Sequence, residues 1–310
     1  FDSHLGKIMQ RSTPMKKRFN KIWMLVFAIS LLSATMVSAE DSLDGIALPS
    51  GTLGTLLYFD QTAGNKFYSN GDKLSDDFNL TADVGIWRGV YYYNIGPFAA
   101  ATNLLLPFGT ISVDGAAVGN MNISSTGMGD PTLIQTLWPV NDPENMTWVA
   151  IGSYVFMPYG QYDNDKLVNI GSNRWAFKPM ACFTKGFENG FFIEIYPGVE
   201  IYTKNDEYGA GEVDMEQDPL YTFETHLIQH LRRQTFVSLD YFYHTGGETK
   251  VAGVKQDDEQ KDHALQFTLA HMIAENTQLM LKYKSDLKVE NGPKTNTFGI
   301  RVLYLIPLCK

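Results

Sequence analysis

Apolar and polar residues alternate along much of this chain, and the alternation is clearest in Phe191–Tyr202. The odd positions of this run are apolar, whereas the even positions include Glu194, Glu200 and two tyrosines. Successive side chains of a β-strand point to opposite faces, so the run predicts a strand with one apolar and one polar face. Its length of about 12 residues is nearer to that of a bilayer-crossing strand than to that of an average globular strand.

The same period of two predicts about twelve strands, with turn residues between them. The predicted strands lie near residues 47–60, 78–93, 97–110, 130–138, 147–157, 174–184, 189–203, 219–231, 233–245, 263–273, 276–287 and 296–306. Connections after the even-numbered strands are short, whereas those after the first, third, fifth, seventh and ninth strands are long and polar. This asymmetry is typical of outer-membrane barrels, in which short turns face the periplasm and long loops face outside.

A soluble β-sandwich or a lipocalin-like barrel also fits the alternation, because alternation does not show which face is inside. Strand length, loop asymmetry and aromatic residues near strand ends favour a membrane barrel. The aromatic residues are Trp87, Tyr91, Tyr92, Tyr93, Trp138, Trp148, Trp175, Tyr241 and Tyr243. We therefore predict an all-β fold: a transmembrane antiparallel β-barrel of about 12 strands, with short periplasmic turns and long extracellular loops.

The first 39 residues predict export. Met15 opens a basic stretch, residues 22–32 form an apolar run, and Val37-Ser38-Ala39 is a small-residue cleavage motif. The apolar run is too short for a membrane-spanning helix, which needs about 20 residues. We predict an upstream extension over residues 1–14, a signal peptide over residues 15–39 that is cleaved near Ala39, and an outer-membrane barrel domain over residues 40–310.

The charge of the exported part argues against nucleic acid as a partner. Residues 1–39 contain six basic residues and one acidic residue, so their removal leaves 19 basic against 33 acidic residues, a net charge near −14. Nucleic-acid phosphates demand a basic surface. Outer-membrane lipid and lipopolysaccharide are the partners that we predict, and the acidic loop over residues 206–218 could bridge divalent cations at that surface.

The chain shows no pattern for a cofactor or a metal site. Cys182 lies within a predicted strand and Cys309 next to the end, and we expect both to be unpaired. His226 and His230 share the polar face with Glu224, which would fit a general base, but no serine has a recognisable nucleophile context. We predict no cofactor, no metal and no enzymatic activity, with an outer-membrane lipid hydrolase as the enzymatic alternative.

If the apolar face meets lipid, the polar face lines the lumen. The predicted lumen-lining residues are Asp83, Arg174, Lys178, Glu194, Tyr196, Glu200, Tyr202, Glu224, His226, His230, Asp240, Lys282, Lys284 and Arg301. Buried charges must be paired or hydrated, so the lumen is either a water-filled passage or an interior closed by ion pairs. The simpler interpretation is that each residue belongs to a ladder of ion pairs or hydrogen bonds. The functional interpretation is that these residues form a polar path for a solute, which the tyrosines contact with their rings.

Several short motifs, taken in order, resemble a known family. They are Gly127-Met128-Gly129-Asp130-Pro131, Pro158-Tyr159-Gly160 with Tyr162-Asp163, Asn169-Ile170-Gly171-Ser172-Asn173-Arg174-Trp175, Lys204-Asn205-Asp206, Glu216-Gln217-Asp218-Pro219, and Gly246-Gly247-Glu248-Thr249 with Gly253. In this order and spacing, over residues 50–306, the chain resembles the family labelled MetA-pathway of phenol degradation. The resemblance implies an outer-membrane transporter barrel and uptake of aromatic or other hydrophobic compounds. Only residues 40 to about 47 precede the first predicted strand, so we expect no amino-terminal plug.

Together these patterns predict a barrel that passes small hydrophobic or aromatic solutes by passive diffusion. The alternatives are the lipid hydrolase and a structural or adhesive surface barrel with a closed lumen. Twelve strands lie between the filled 8-stranded barrels and the open 16-stranded porins, so the strand number does not decide whether the lumen is open.

Overall fold

The computed structural model describes residues 40–307, and most of them lie in strands. In chain order the strands are β1 (Thr52–Ser69), β2 (Asp72–Ser75), β3 (Asn79–Ile95), β4 (Phe98–Asp114), β5 (Ile123–Met128), β6 (Thr132–Asp142), β7 (Thr147–Phe156), β8 (Ala176–Gly186), β9 (Phe191–Tyr202), β10 (Asn205–Tyr208), β11 (Val213–Gln217), β12 (Leu220–Arg232), β13 (Thr235–Gly246), β14 (Thr249–Val251), β15 (Val254–Lys255), β16 (Gln260–Ala274), β17 (Thr277–Lys288) and β18 (Gly292–Pro307). A short 3₁₀ helix, Ala116–Val118, lies between β4 and β5. The predicted upstream extension, the signal peptide and Cys309 lie outside the described residues.

Twelve of these strands close into one antiparallel barrel. Their order around the wall is β1, β3, β4, β6, β7, β8, β9, β12, β13, β16, β17 and β18. The seam between β1 and β18 is paired from Thr52 with Pro307 to Tyr68 with Gly292. Each barrel strand overlaps one of the twelve predicted segments, so the predicted antiparallel barrel is confirmed.

Side chains alternate between the lumen and the outer surface. On β9, Glu194 and Glu200 are buried inside the barrel, whereas Ile201 is exposed on the outside. Large apolar side chains cover the outer surface, where Phe59 and Phe267 are 53% and 54% exposed. Burying polar groups inside and exposing apolar groups outside inverts the pattern of a soluble barrel, and lipid stabilises this arrangement.

The two ends of the barrel differ in the length of their connections. Where β1 begins and β18 ends, the turns are tight, such as the two residues 96–97 between β3 and β4 and the two residues 275–276 between β16 and β17. At the opposite end β2 and β5 extend the wall, and β10, β11, β14 and β15 form a separate four-stranded sheet. The tight-turn end is therefore the periplasmic end and the other end is extracellular. Among residues 40–307, no helix is long and apolar enough to cross a membrane.

Residues 40–51, which we call the plug, contradict the expectation of an unplugged lumen. The first strand begins at Thr52 rather than near residue 47, and the residues before it fold back inside the barrel. A tight turn, in which the backbone N–H of Asp44 donates to the carbonyl of Asp41 at 3.0 Å, compacts the tip. The expectation was wrong because even twelve residues are long enough to fill the lumen. Fully extended, they span about 40 Å, which exceeds the roughly 30 Å thickness of the hydrocarbon core of a bilayer.

The carboxy-terminal half of the plug is apolar and packs near the periplasmic end. Its residues Ile46, Ala47 and Leu48 contact a cluster that includes Trp138 and Trp148. These two tryptophans were predicted to mark the membrane interface, but they are 3% and 5% exposed and face the lumen. The prediction was wrong because each tryptophan occupies a strand position whose side chain points into the lumen.

Candidate functional site

The acidic tip of the plug is held by cations on the last two strands and on β3. Asp41 accepts hydrogen bonds from Arg301 Nη1 at 2.8 Å and from Lys282 Nζ at 3.3 Å. Asp44 accepts one from Arg88 Nη1 at 2.7 Å. Because Asp41 and Arg301 are almost fully buried, these charges interact with little screening by water.

Glu194 on β9 binds the backbone of the plug rather than a cation on it. Its carboxylate accepts hydrogen bonds from the N–H of Leu43 at 2.7 Å and of Gly45 at 3.3 Å. The carbonyl of Gly45 accepts a bond from Trp138 Nε1 at 2.8 Å. A Cβ at Gly45 would lie 2.2 Å from Thr184 Oγ1, so only glycine lets the plug approach the wall this closely.

The first described residue, Glu40, is buried in the lumen with 6% of its surface exposed. Its carboxylate accepts a hydrogen bond from the hydroxyl of Tyr154 on β7. Its backbone nitrogen donates to Glu224 Oε2 on β12 at 3.1 Å. The other oxygen of Glu224 accepts a bond from Lys178 Nζ at 3.2 Å.

Asp240 on β13 is the centre of a second buried polar group. It accepts hydrogen bonds from the hydroxyls of Ser42 at 3.0 Å and Ser238 at 3.1 Å, and from Gln266 Nε2 at 3.1 Å. His226 Nδ1 lies 2.9 Å from the same carboxylate. Both serines bond the carboxylate, and in residues 40–307 no serine hydroxyl is hydrogen-bonded to a histidine ring. The geometry of a Ser-His-Asp triad, in which the histidine lies between the other two groups, is therefore not assembled here.

These contacts come from opposite sides of the barrel. Five strands lie between β3, which holds Arg88, and β12, which holds Glu224, and five lie between β7 and β17, so each pair is half-way around the twelve-stranded wall. A segment bonded on four sides occupies the centre of the lumen. The plug therefore obstructs the passage, and its polar groups are matched to those of the wall.

A cavity of about 230 Å³ lies on the extracellular side of the plug, with Asp41 among its lining residues. Aromatic rings and charges share its wall. Lys284 Nζ lies 4.4 Å from the ring centroid of Phe242, and Lys282 Nζ lies 5.1 Å from that of Tyr58. One oxygen of Asp60 is buried there without a hydrogen-bond partner. The cavity can accept a small solute that offers an apolar body and a polar group.

Most of the predicted lumen-lining residues lie on the inward face of the wall. Those on inward positions of barrel strands are Lys178, Glu194, Tyr196, Glu200, Tyr202, Glu224, His226, His230, Asp240, Lys282, Lys284 and Arg301. His230 is near the periplasmic end, where its ring packs against those of Phe192 and Phe236. Arg174 precedes β8 and stacks over the ring of Tyr202 at 4.3 Å.

Asp83 does not line the lumen. Its carboxylate accepts a hydrogen bond from Gln61 Nε2 at 3.1 Å on the outer face of the barrel. It alternates with Ala82 and Val84, which face inward, so the predicted parity of β3 was wrong. The inward charge of β3 is Arg88.

Seven charged residues of the site were missed by the sequence analysis. They are Glu40, Asp41, Asp44, Asp60, Arg88, Asp262 and Asp286. The three plug residues carry no periodic signal, because they are not in a strand. Asp60 and Arg88 could have been found from the parity of their strands.

The comparisons with known proteins agree with this architecture. Residues 63–302 match the family described as "Putative MetA-pathway of phenol degradation". The chain belongs to this family. The structure also resembles the COG4313 outer membrane channel from Pseudomonas putida F1, with 28% identity and a TM-score of 0.82 over 86% of this chain and 100% of that chain. The transport unit of the autotransporter AIDA-I from Escherichia coli shares the fold at 8% identity, with a TM-score of 0.52 over 93% of this chain and 98% of that one. A search of curated proteins finds no match.

Family membership and fold together identify an outer-membrane β-barrel. Three of the motifs that resemble the family meet in one loop contact at the extracellular end. Asp130 accepts hydrogen bonds from the N–H of Gly160 at 2.9 Å and from the N–H of Ser172 at 2.8 Å. Burial raises the pKa of Asp130, and these hydrogen bonds oppose the shift. The contact holds residues 157–175 against the barrel wall at the end of β7.

Proposed function

We propose that this barrel passes small hydrophobic or aromatic compounds across the outer membrane by passive diffusion, and that the plug must move for a solute to pass. The extracellular cavity above the plug carries the proposal. Its combination of rings and charges suits a solute that is largely apolar and has one polar group.

Two comparisons support the proposal. The family name refers to phenol degradation, and the related protein from Pseudomonas putida is described as a channel. The buried position of Glu40 also supports signal-peptide cleavage near Ala39, because a leader attached there would have to leave from inside the lumen. We therefore propose a transport function for this protein rather than an enzymatic one.

Uptake of 1-N-phenylnaphthylamine, an apolar dye that fluoresces on crossing the outer membrane, tests the proposal in a Gram-negative host. Cells with the unaltered barrel should take up the dye faster than cells without it, and deletion of residues 40–48 should increase the rate further. The Asp83→Asn variant, altered on the outer face, is the matched control and should behave as the unaltered barrel. Uptake at the level of cells without the barrel, for both the unaltered and the plug-deleted chain, contradicts the proposal.

A structural barrel with a closed lumen is the second candidate, because the plug is bonded on four sides. It predicts that the deletion opens the barrel to ions in planar bilayers while the unaltered protein neither conducts nor takes up the dye.

A further inference from the structure

The backbone nitrogen of Glu40 occupies an unusual place. It lies inside the barrel, 3.1 Å from Glu224 Oε2, and donates a hydrogen bond to that carboxylate. In the uncleaved chain this atom is a neutral amide nitrogen with a single hydrogen. Hydrolysis of the Ala39–Glu40 bond consumes one water, leaves a carboxylate on Ala39 and an amine on Glu40, and the amine takes up a proton at neutral pH.

The acceptor of this hydrogen bond lies among buried carboxylates. Glu40, Glu200 and Glu224 all interact electrostatically with Lys178. Arg88 also interacts with Glu40, and His226 with Glu224. One oxygen of Glu224 accepts a hydrogen bond from Lys178, and the other faces the backbone nitrogen of Glu40. A positive charge on this nitrogen would therefore pair directly with a buried carboxylate, which is the arrangement that buried charges require.

We propose that signal-peptide cleavage after Ala39 turns this nitrogen into a cation: the new α-ammonium group of Glu40 forms a buried ion pair with Glu224 and completes the binding of the plug to the wall. Processing then exchanges one neutral donor for a charged group with three donors. Charge-assisted hydrogen bonds are about twice as strong as neutral ones. The proposal rests on the cleavage site given above, and it does not depend on which solute passes or on whether one does.

The first test is the mass of the protein purified from outer membranes. The mass should correspond to a chain that begins at Glu40, and any other first residue overturns the proposal.

The second test measures access to the α-amine of the folded protein in detergent. Pyridoxal phosphate converts an amino-terminal amine to a ketone and leaves lysines unchanged, so mass spectrometry follows the reaction directly. In the unaltered protein the reaction should be slow. In Glu224→Gln it should be at least tenfold faster, because the ammonium has lost its partner, whereas Glu224→Asp should retain most of the protection.

The Lys178→Met variant distinguishes loss of this ion pair from a general loss of packing around Glu224. It removes the cation on the other side of Glu224 and leaves that carboxylate to the ammonium, so the α-amine should stay protected. Equal exposure in Lys178→Met and Glu224→Gln, or fast reaction in the unaltered protein, overturns the proposal. Heat-modified mobility on gels confirms that each variant forms the barrel before it is scored.

Discussion

Asp41 illustrates how much of the lumen depends on a single side chain. Its carboxylate is paired with both Arg301 and Lys282, and removing it leaves both cations buried without this partner. Breaking a buried ion pair on one side costs about 3–5 kcal/mol. When the barrel wall is stable by itself, this cost lowers the stability of the docked plug rather than that of the folded barrel.

We therefore expect Asp41→Asn to raise the ratio of undocked to docked plug by about 100-fold to a few thousand-fold, at about 1.4 kcal/mol for each factor of ten. The open fraction of single channels in planar bilayers measures the change. Asp83→Asn removes a carboxylate from the outer face and should leave the open fraction unchanged. An Asp41→Asn channel as closed as the unaltered one would show that the plug is held by its other contacts.

The error at Asp83 shows what residue-level patterns can and cannot predict. Both parities of β3 carry one charge, Asp83 on one and Arg88 on the other, so charge alone does not identify the lumen. Trp87 and Tyr91 share the parity of Asp83, and both are exposed on the outer surface. Bulky aromatic residues are typical of the lipid-facing side near the interface, and this signal could have assigned the strand correctly.

At the scale of elements, the strands were predictable and the plug was not. A strand in a barrel wall has a period of two, because one face meets lipid and the other meets the lumen. The plug contacts the inner wall on all sides and has no lipid-facing side, so its sequence, Glu40 to Gly51, has no repeat to detect. Its fold is set by partners on distant strands, such as Glu194 and Arg301, and no local pattern contains them.

Residues 157–175 form an element without regular structure, and Asp130 is one of the groups that hold it. Three hydrogen bonds, from Gly160 and from the backbone and hydroxyl of Ser172, end on this carboxylate. Asp130→Ala leaves those donors unpaired at a cost of about 1–3 kcal/mol. We expect trypsin to cut after Lys166 about tenfold faster in this variant.

Asp114→Asn is the control for that experiment, because Asp114 binds Asn79 at the same end of the barrel but not this loop. Equal cleavage rates in the unaltered protein and in Asp130→Ala would mean that other contacts, such as that of Gln161 with Met128, hold the loop by themselves.

The whole molecule can be oriented in lipid by its tryptophans. Trp87 and Trp175 are each 36% exposed, whereas Trp138 and Trp148 are 3% and 5% exposed. In single-tryptophan variants reconstituted into brominated lipid, we expect strong quenching of Trp87 fluorescence and little quenching of Trp138 fluorescence. Similar quenching of both would contradict the assignment of the inner and outer faces.

The barrel as a whole was predictable because every level of the sequence agreed: alternation, strand length and the difference between the two sets of connections. Whether the lumen is open was not predictable, since the residues that fill it come from outside the repeating pattern. A twelve-stranded wall leaves room for a short segment, and the charges that bind that segment look the same in sequence as charges that line a water-filled pore.

The seam also links assembly to the state of the lumen. Arg301 and Lys282 belong to the carboxy-terminal hairpin, β17 and β18, and β18 completes the wall by pairing with β1. Until that hairpin arrives, Asp41 lacks both of its cations, although the segment that carries it is synthesised first. A barrel in which β17 and β18 are not in place therefore lacks both a closed wall and the two cations that hold Asp41 of the plug.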